Sequence, residues 1–477
     1  MHILVKTPYL SYGASVMTLL DPELIEGFLS NVGTTWDDKP EPGSFSADVA
    51  QLRGLEIPTG AVLTIALPNG MPLLRIFFAV LAAGYVPLLM APSTPAARVR
   101  ASAVQFGAHG LIRSRITAAD HPGGRMARIA DLDVLIFDTP GLPVHEPGQV
   151  ILLTTGTSGA GTGCLHDYQA LLRNADRHAA SVLLTGRDTV LVNLPMYYSF
   201  ALVAQILGCL RTGARPVLAG PPFQPAGYVG QLERHGVTVS SLTPILLSAL
   251  LDSGCDLPDG LRTLTVGGSA LPPDRVRQFL DRYPGKQLYL TYGLTEAGPR
   301  VSTLAAHAEP ATRFASAGRP LQGVRIRLRD VGRGPRAQEV LVESDTIYRA
   351  RLGKAAEERG GLAAPGVLAT GDLGYLDDEG YLYLTGRASD FAVVRGEKVS
   401  LSSIRRTAES LAGVLRARPS VRAVETSDAL LELDLYLDES AGVDQAGLRR
   451  ALFLALAPSE RPAQLRMHCL SAGSLYK

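Results

Sequence analysis

A ten-residue segment that follows a short apolar run, and that contains six glycine, serine or alanine residues, is the most chemically suggestive part of this 477-residue chain. The run Val150–Leu153 is typical of a buried strand, and the segment Thr154–Gly163 (TTGTSGAGTG) comes directly after it. Small residues let backbone N–H groups approach an anion closely, and a helical pattern after His166 would direct its positive end to the same place. The segment therefore predicts a phosphate cradle. A Gly-x4-Gly-Lys-Ser/Thr loop would need lysine at Thr162, so the sequence excludes that type of loop.

Two further segments place a carboxylate on a turn bracketed by glycines. Tyr292–Gly298 (YGLTEAG) follows the strand pattern Leu288–Thr291. Its Glu296 is able to bind Mg²⁺ beside a nucleotide, and its Tyr292 is able to stack on a base. The second segment is Ala369–Gly374 (ATGDLG). Its Asp372 is able to accept both hydroxyl groups of a ribose. A solvated turn is the alternative interpretation of the first segment, and an Asx-type turn at a strand end is the alternative for the second.

A guanidinium and a group of aromatic residues complete the set of chemically suggestive residues. Arg387, in Gly386-Arg387, is able to pair with phosphate or ribose oxygens, and a surface salt bridge is the alternative. The aromatic residues Tyr197, Tyr198 and Phe200, together with a Gly267-Gly268 turn, are consistent with a flat, partly aromatic pocket. Ordinary core packing is the alternative for these aromatics.

The elements that must position these residues are short apolar runs alternating with helical patterns. This order predicts an α/β fold whose parallel strands are buried on both faces. After about residue 320 the pattern changes to short alternating strands, and from about residue 389 it predicts a small α+β module. The expected strands of the first part are Val62–Leu67, Tyr85–Leu89, Val134–Phe137, Val150–Thr154, Thr189–Leu194, Arg215–Leu218, Val237–Leu242 and Leu261–Val266. The expected helices include Tyr168–Leu183, Ser199–Leu210, Pro225–His235, Ser402–Leu415 and Asp444–Leu456.

Composition narrows the class of partner. The 46 basic residues balance 45 acidic ones, so the chain has no excess charge for a nucleic acid, and none is expected as a partner. The most apolar region, Gly60–Ala91, is interrupted by proline, glycine and arginine, which predicts strand, turn, buried helix and strand rather than a membrane span. The four cysteines are far apart, and the N-terminus lacks the pattern of an export signal, so a cytoplasmic protein is expected.

Taken in order, these motifs resemble those of the adenylate-forming superfamily, which includes acyl-CoA synthetases, adenylation domains of nonribosomal peptide synthetases and beetle luciferase. The resemblance extends from about residue 60 to the C-terminus. The matching segments are Thr155–Gly159, similar to the family's Ser-Gly-Thr-Thr-Gly loop; Asn193–Tyr198, similar to Leu-Pro-x-Phe-His; Gly267–Leu271, similar to its Gly-Gly turn; Tyr292–Glu296, similar to Tyr-Gly-x-Thr-Glu; Thr370–Asp372, similar to Thr-Gly-Asp; and Gly386-Arg387 with Asp390, similar to Gly-Arg-x-x-Asp.

The resemblance implies a large N-terminal domain that binds acyl group and nucleotide over residues 1–387, with a β-rich subdomain at about 320–387. It also implies a small α+β C-terminal lid over residues 388–477. In such enzymes a carboxylate attacks the α-phosphate of ATP, and the pantetheine thiol of CoA or of a carrier protein then takes the acyl group. By this resemblance the nucleotide-binding residues are Thr155, Gly156, Thr157, Ser158, Gly159, Tyr292, Asp372 and Arg387. The catalytic residues are Thr295 and Glu296, with Glu296 also the metal ligand; the acyl pocket contains Tyr197, Tyr198, Gly267 and Gly268; and Gly396 lines a pantetheine tunnel.

Three departures from the family pattern affect cations. Where the family's glycine loop continues Pro-Lys-Gly, this chain has Gly161-Thr162-Gly163. On the best alignment Ser474 replaces the lysine of the lid, and Val393 stands where many relatives have lysine. Each lost donor typically costs about 3 to 4 kcal/mol of activation barrier in phosphate chemistry, whereas attack of a thiol on an activated acyl group needs fewer cations. The terminal Lys477 is a candidate replacement for the lid lysine.

These departures predict an acyltransferase that moves a small acyl group, benzoate-like or otherwise, from acyl-CoA to an acyl carrier protein, with adenylation lost or weak. Its cofactor would be a phosphopantetheine thioester, with ATP and Mg²⁺ in doubt, and its setting would be specialised metabolism. One alternative is an ATP-dependent acid:CoA or acid:carrier-protein ligase that acts through an acyl-adenylate. A second alternative is a non-catalytic protein that binds a nucleotide or a carrier. Retention of Glu296, Asp372 and Arg387 favours a working nucleotide site.

Overall fold

The computed structural model of the chain shows two compact units. The first contains Met1–Arg325 with Val342–Leu368, and the second contains Ile326–Leu341 with Ala369–Lys477. The structure describes residues 20–36, 44–117, 124–138, 141–154, 162–332, 334–353, 361–388, 391–394, 397–423, 429–439 and 442–470.

Within these ranges the helices lie mainly between successive strands. The α-helices are α1 (Pro22–Ser30), α2 (Phe45–Arg53), α3 (Met71–Ala82), α4 (Ala96–Phe106), α5 (Tyr168–Ser181), α6 (Gly208–Thr212), α7 (Pro225–Arg234), α8 (Pro244–Asp252), α9 (Pro273–Arg282), α10 (Leu401–Glu409) and α11 (Gln445–Ala455). A π-helix spans Phe200–Leu207. Short 3₁₀ turns span Thr295–Ala297, Ala306–Ala308, Ala311–Arg313 and Pro458–Glu460.

The strands are named in chain order. They are β1 (Gly33–Thr34), β2 (Val62–Ile65), β3 (Val86–Leu89), β4 (Ala108–Arg113), β5 (Arg125–Ile129), β6 (Leu132–Ile136), β7 (Gln149–Leu153), β8 (Gly163–Asp167), β9 (Thr189–Val192), β10 (Arg215–Leu218), β11 (Val239–Leu242), β12 (Thr263–Gly267), β13 (Gln287–Gly293), β14 (Arg300–Ala305), β15 (Arg319–Pro320), β16 (Arg325–Arg329), β17 (Gln338–Glu343), β18 (Ala350–Leu352), β19 (Leu362–Ala364), β20 (Val367–Leu376), β21 (Leu382–Arg387), β22 (Phe391–Val394), β23 (Glu397–Ser400), β24 (Val414–Ala423), β25 (Ala429–Asp438) and β26 (Gln464–Leu470).

Two eight-stranded sheets dominate the first unit. One has the order β1-β10-β9-β11-β12-β13-β14-β15, and the other has the order β18-β8-β7-β3-β2-β4-β6-β5. The central strands of both sheets run parallel, while β14, β15, β18, β8, β6 and β5 add antiparallel pairs at the edges. The predicted α/β fold with parallel-rich sheets is therefore confirmed, because the central strands are the near-continuous apolar runs that burial on both faces requires.

The apolar region Gly60–Ala91 folds as its interruptions predict. β2 leads through Pro68, Asn69 and Gly70 into α3, and β3 follows. Nine residues of α3 are buried, from Leu73 to Leu81, so this helix belongs to the core of the first unit. Among the described residues, none of the helices has both the length and the apolar character that crossing a bilayer requires.

Some boundaries differ from the sequence prediction. The segment predicted as one helix, Ser199–Leu210, is a π-helix followed by the short α6. The helix expected over Ser402–Leu415 ends at Glu409, because Gly413 adopts a left-handed conformation (φ +79°) and β24 begins at the next residue. Strands β4 and β8 were not predicted, since glycine and histidine interrupt their short apolar patterns.

The second unit contains its own sheet and its own core. Its strands follow the order β23-β22-β25-β24, with β26 also paired to β25. Side chains of β25 alternate, so that Leu431, Leu433, Leu435 and Leu437 are buried and pack with residues of α10 and α11. A further sheet has the order β16-β17-β20-β19, with β21 on β20. The chain passes from one unit to the other within three of its strands, β16, β17 and β20.

Candidate active site

The turn that carries Thr295 and Glu296 lies at the carboxyl end of β13, between this strand and the antiparallel β14. Gly267, the last residue of β12, pairs in parallel register with Thr291 of β13. Gly293 pairs with Arg300 across β13 and β14, and the register shifts between Tyr292 and Gly293. Ligands of α/β sheets bind at the carboxyl ends of parallel strands, so the geometry favours this edge as the site.

Hydrogen bonds from α5 and from the Thr346 segment hold this turn in place. The side-chain amide of Asn174 donates to the carbonyl of Arg300 (2.9 Å), and its oxygen accepts from the Arg300 N–H (2.9 Å). The hydroxyl of Thr346 donates to the carbonyl of Ala297 at 2.9 Å. Asn174 and Thr346 have no exposed surface, so water does not compete with these bonds.

His166 supports the same turn from β8. Its Nε2 donates to the carbonyl of Thr295 at 2.9 Å, which requires the neutral tautomer with the proton on Nε2. The ring is fully buried, and this burial lowers its pKa to about 4. His166 was not predicted as a site residue, because a histidine in a segment of mixed polar and apolar residues has no distinctive pattern.

The carboxylate of Glu296 forms an ion pair with the guanidinium of Arg351, with 3.0 Å between Oε1 and Nη2. Both side chains are largely buried, with 15% and 13% of their surfaces exposed. Arg351 lies on β18 directly opposite Cys164 of β8, one residue after Gly163, where the predicted phosphate loop ends. The fold thus brings Glu296, a cation and the end of that loop together.

Two of the predicted aromatic residues lie near this turn. The rings of Tyr197 and Tyr198 are in contact, with centroids 4.7 Å apart, and Tyr198 is 42% exposed. The next residue, Ser199, shares a hydrogen bond of 3.0 Å with the hydroxyl of Thr295. Burial raises the pKa of Tyr197, so its phenol is neutral at physiological pH.

Gly267 lies in a crowded part of the pocket region. A Cβ atom at this position would be 2.4 Å from Oγ1 of Thr291 and 3.1 Å from both Nη1 of Arg300 and Cε1 of Phe200. The neighbouring Gly268 adopts a left-handed conformation (φ +95°). Glycine at 267 therefore allows Thr291, Phe200 and the buried Arg300 to pack closely against the turn. The sequence did not identify Arg300 as a residue of this region.

In the second unit, Asp372 and Arg387 are partners. They lie opposite each other on β20 and β21, and 2.9 Å separates Oδ1 of Asp372 from Nε of Arg387. Asp372 is buried, whereas the Arg387 side chain is 61% exposed. The backbone N–H of Asp372 donates to the hydroxyl of Thr370 at 3.0 Å, so the Thr-Gly-Asp segment forms a local turn that orients the carboxylate.

Several predicted residues lie outside the described ranges. These are Thr155, Gly156, Thr157, Ser158, Gly159, Asp390, Gly396, Ser474 and Lys477. The roles of all the predicted site residues stay predictions, as does a domain boundary after residue 387.

The donor set suits a nucleotide with Mg²⁺ rather than a cage made only by the protein. Among the residues that the structure describes, no group of three or more His, Cys, Asp or Glu side chains could hold a metal ion. Mg²⁺ at phosphate sites is typically bound through one or two carboxylates together with phosphate oxygens and waters. Glu296, with one ion-paired carboxylate at the edge of the sheet, fits that arrangement.

Comparison with known proteins agrees with this geometry. Residues 49–341 match the AMP-binding enzyme family. This chain belongs to the AMP-binding enzyme family. It is 29% identical over 440 residues to the sulfoacetate–CoA ligase of Cupriavidus necator, covering 86% of this chain and 84% of the relative. It is 30% identical over 393 residues to the salicyl-AMP ligase/salicyl-S-ArCP synthetase of Mycobacterium tuberculosis, covering 74% and 68% of the two chains.

The fold of this family member is that of a solved adenylate-forming enzyme. The o-succinylbenzoate CoA synthetase of Bacillus subtilis, in complex with its acyl-adenylate intermediate, superposes with a TM-score of 0.77 over 94% of each chain at 21% identity. The expected large N-terminal domain with mixed sheets and helices, and the small C-terminal domain, are confirmed.

The prediction of acyl transfer from acyl-CoA to a carrier protein is wrong. Two relatives that match most of the chain are acid–CoA ligases: the sulfoacetate–CoA ligase and, at 25% identity over 73% of this chain, the 2-succinylbenzoate–CoA ligase of Bacillus pumilus. These comparisons support the ligase alternative and give no support to lost adenylation. The motifs lack cations at Thr162 and Ser474, but folding brings the guanidinium of Arg351 to Glu296, and the motifs do not reveal this cation.

We predict that Gly298 is needed for the shape of the turn. Gly298 has φ +92°, and a Cβ atom there would be 2.6 Å from the carbonyl oxygen of Thr346. Gly285 has a similar φ of +88° with no atom within 4 Å of its Cβ position, so it is a matched control. Both alanine variants should lose about 1 kcal/mol of stability from the left-handed conformation, and Gly298→Ala should lose about 1 to 3 kcal/mol more from the clash. Urea denaturation measures both values, and equal losses would contradict the prediction.

We also predict that buried His166 makes stability depend on pH. Its folded pKa of about 4 lies below the unfolded value of 6.5, so the unfolded state takes up the proton first as the pH falls. The stabilisation is complete above pH 6.5 and is lost on acidification towards pH 4. Between pH 7.5 and pH 5 the loss should be about 2 kcal/mol from this histidine. Between pH 7.5 and pH 5, the free energy of unfolding of His166→Gln should fall by about 2 kcal/mol less than that of the unmodified protein. An equal fall in both proteins, measured by denaturation, would refute the assignment.

Proposed function

We propose that this protein is an ATP-dependent acid–thiol ligase that activates a free carboxylic acid as its acyl-adenylate and then joins the acyl group to the thiol of CoA. The observation that carries this proposal is the arrangement of Glu296, Arg351 and the β8 end of the glycine-rich loop at the carboxyl edge of the sheet. The similarity to acid–CoA ligases over most of the chain supports it.

The first half-reaction forms a bond between a carboxylate oxygen and the α-phosphorus of ATP, and the bond to pyrophosphate breaks. In the proposed site the backbone N–H groups of Thr155–Gly159 would hold phosphate oxygens, Thr295 would donate to a phosphate, and Glu296 would hold Mg²⁺. Bound Mg²⁺ would neutralise charge on the phosphates. Arg351, ion-paired to Glu296, adds a fixed guanidinium whose charge favours negative charge developing nearby.

The remaining nucleotide contacts are proposed for the second unit and for Tyr292. Asp372, oriented by its own turn and by Arg387, would accept the ribose hydroxyls. Tyr292 would stack on the adenine, and Arg387 would reach ribose or phosphate oxygens. In the second half-reaction the thiolate attacks the acyl carbonyl, and the C–O bond to AMP breaks. The pantetheine thiol would reach that carbonyl along the segment that contains Gly396.

The pantetheine thiol of a carrier protein is the other candidate acceptor. It is favoured by the similarity to the salicyl-AMP ligase/salicyl-S-ArCP synthetase, whose name includes a carrier-bound product. CoA and a carrier present the same thiol arm, so incubation with each acceptor, followed by mass measurement of the thioester, distinguishes them.

We predict that a free acid will stimulate exchange of labelled pyrophosphate into ATP. Glu296→Gln should lower the exchange rate by roughly 10²- to 10³-fold, the usual effect of removing one electrostatic contact to the reacting phosphates. Glu309→Gln is a matched control, because the Glu309 side chain is 16% exposed and pairs with Arg313 at 2.8 Å, much as Glu296 pairs with Arg351. The control should exchange at the unmodified rate.

Absence of exchange with every acid tested, in a folded protein that binds ATP, would overturn the proposed function. An equal loss of exchange in both glutamine variants would instead assign Glu296 a structural role.

A further inference from the structure

One buried cation in the first unit has no acidic partner among the residues that the structure describes. Arg300 begins β14 and is only 3% exposed, and its Nε and Nη2 nitrogens are buried without a hydrogen-bond acceptor among the described residues. A guanidinium carries five N–H donors and keeps its charge at physiological pH. Buried charges in proteins are normally paired or bound to a ligand, so this arrangement indicates a missing anion.

The surroundings of the guanidinium contain no compensating negative group in the part of the chain that is described. The group lies over the ring of Phe200, 3.7 Å from its centroid, and Nη1 lies on the side of Gly267. The pKa of His178 is held well below its usual value by burial and by the charge of Arg300, so this histidine is neutral and does not compensate the guanidinium. Burial lowers the pKa of Arg300 itself to about 9, which still leaves it charged at neutral pH.

Comparison with other buried arginines shows that this chain usually supplies a partner. Arg75 is 7% exposed and is paired with buried Asp48, and Arg351 is paired with Glu296. Arg300 differs from both, although its backbone is held firmly on both sides by Asn174. The guanidinium is therefore positioned by the fold but not neutralised by it.

The position of Arg300 connects it to the reaction centre. Its backbone pairs with Gly293, two residues before Thr295. Phe200, which covers its face, follows Ser199, whose hydroxyl is hydrogen-bonded to Thr295. Phe200 also begins the π-helix, a distortion that is frequent at functional sites. Arg300 thus lies between the Tyr197–Phe200 segment and the Gly267 turn, the two segments predicted to line the acyl pocket.

We propose that Arg300 determines substrate specificity by binding a second anionic group of the acid, so that the preferred substrates carry a carboxylate or sulfonate in addition to the carboxylate that is activated. This inference rests on the proposed function and deepens it. The guanidinium edge can bind such a group through two parallel N–H···O bonds, while Phe200 covers its face. The absence of a side chain at Gly267 lets Nη1 of Arg300 and the ring of Phe200 pack closely against this turn, so the guanidinium is held beside the predicted acyl pocket.

The competing role for Arg300 is contact with the reacting carboxylate or with the α-phosphate. In that role its removal would slow activation of every acid to the same extent. In the proposed role its removal affects only acids that carry the second anion, so a comparison of paired substrates separates the two.

The experiment measures acid-dependent pyrophosphate exchange with matched pairs of acids: acetate with malonate and sulfoacetate, and benzoate with phthalate and 2-sulfobenzoate. The unmodified full-length protein should prefer at least one dianionic acid over its monoanionic partner. Arg300→Met should lower kcat/KM for that acid by about 30-fold or more, mainly through KM, and leave kcat/KM for the monoanionic partner within a few-fold. Arg300→Lys should recover part of the loss.

Arg211→Met is the control, because Arg211 forms two hydrogen bonds to Asp176 (2.8 and 3.1 Å) and its loss should not change the preference between paired acids. The melting temperature of each variant reports whether it folds; should Arg300→Met fail to fold, Arg300→Lys carries the comparison of KM values. An unmodified protein that prefers monoanionic acids, or an equal loss for both members of a pair, would overturn the inference. Exchange with none of the acids would instead count against the proposed function.

Discussion

The candidate active site of the first unit, at the carboxyl end of β13, depends on the hydrogen bonds that fix the turn between β13 and β14. Asn174 binds the backbone of Arg300 on both sides, Thr346 binds Ala297, and His166 binds Thr295. These groups come from α5, from the segment before β18, and from β8. One short turn is therefore held by three distant parts of the chain, and its side chains are oriented before any ligand arrives, which is the condition for electrostatic catalysis.

Buried charged side chains of the first unit differ in whether another side chain compensates their charge, and this difference distinguishes structural residues from candidate functional ones. Asp48 compensates Arg75 inside the core, and neither side chain has a route to a ligand in the proposed chemistry. Glu296 and Arg351 compensate each other at the sheet edge. Arg300 has no compensation in the described chain. Buried charges are thus paired in the core and unpaired beside the proposed acyl pocket. This difference is the reason for proposing that the acyl side of the site binds an anionic group of the substrate.

Much of the fold was predictable because its signals are local. The apolar runs of β2, β3, β9 and β10 and the apolar helix α3 are continuous and strongly patterned, so burial on both faces could be inferred from composition. The strand β8 was missed because Gly163 and His166 break its pattern. The π-helix could not be foreseen, since its sequence FALVAQIL is equally compatible with an α-helix and only packing selects the wider turn.

Local sequence patterns were enough to identify the family, the order of the motifs and the α/β class, because glycine turns, carboxylates and strand patterns are encoded within a few residues. It also led to a wrong conclusion about chemistry, because a cation missing from a motif was taken as a cation missing from the site. Which charged side chains lie next to each other is seen only in the tertiary structure. Arg351 lies 55 residues from Glu296 along the chain, and Arg300 is separated from Phe200 and Gly267 by other elements. Side chains that strand pairing brings together have no fixed separation in the sequence. Their electrostatic partners can therefore be identified only when the register of the strands is known.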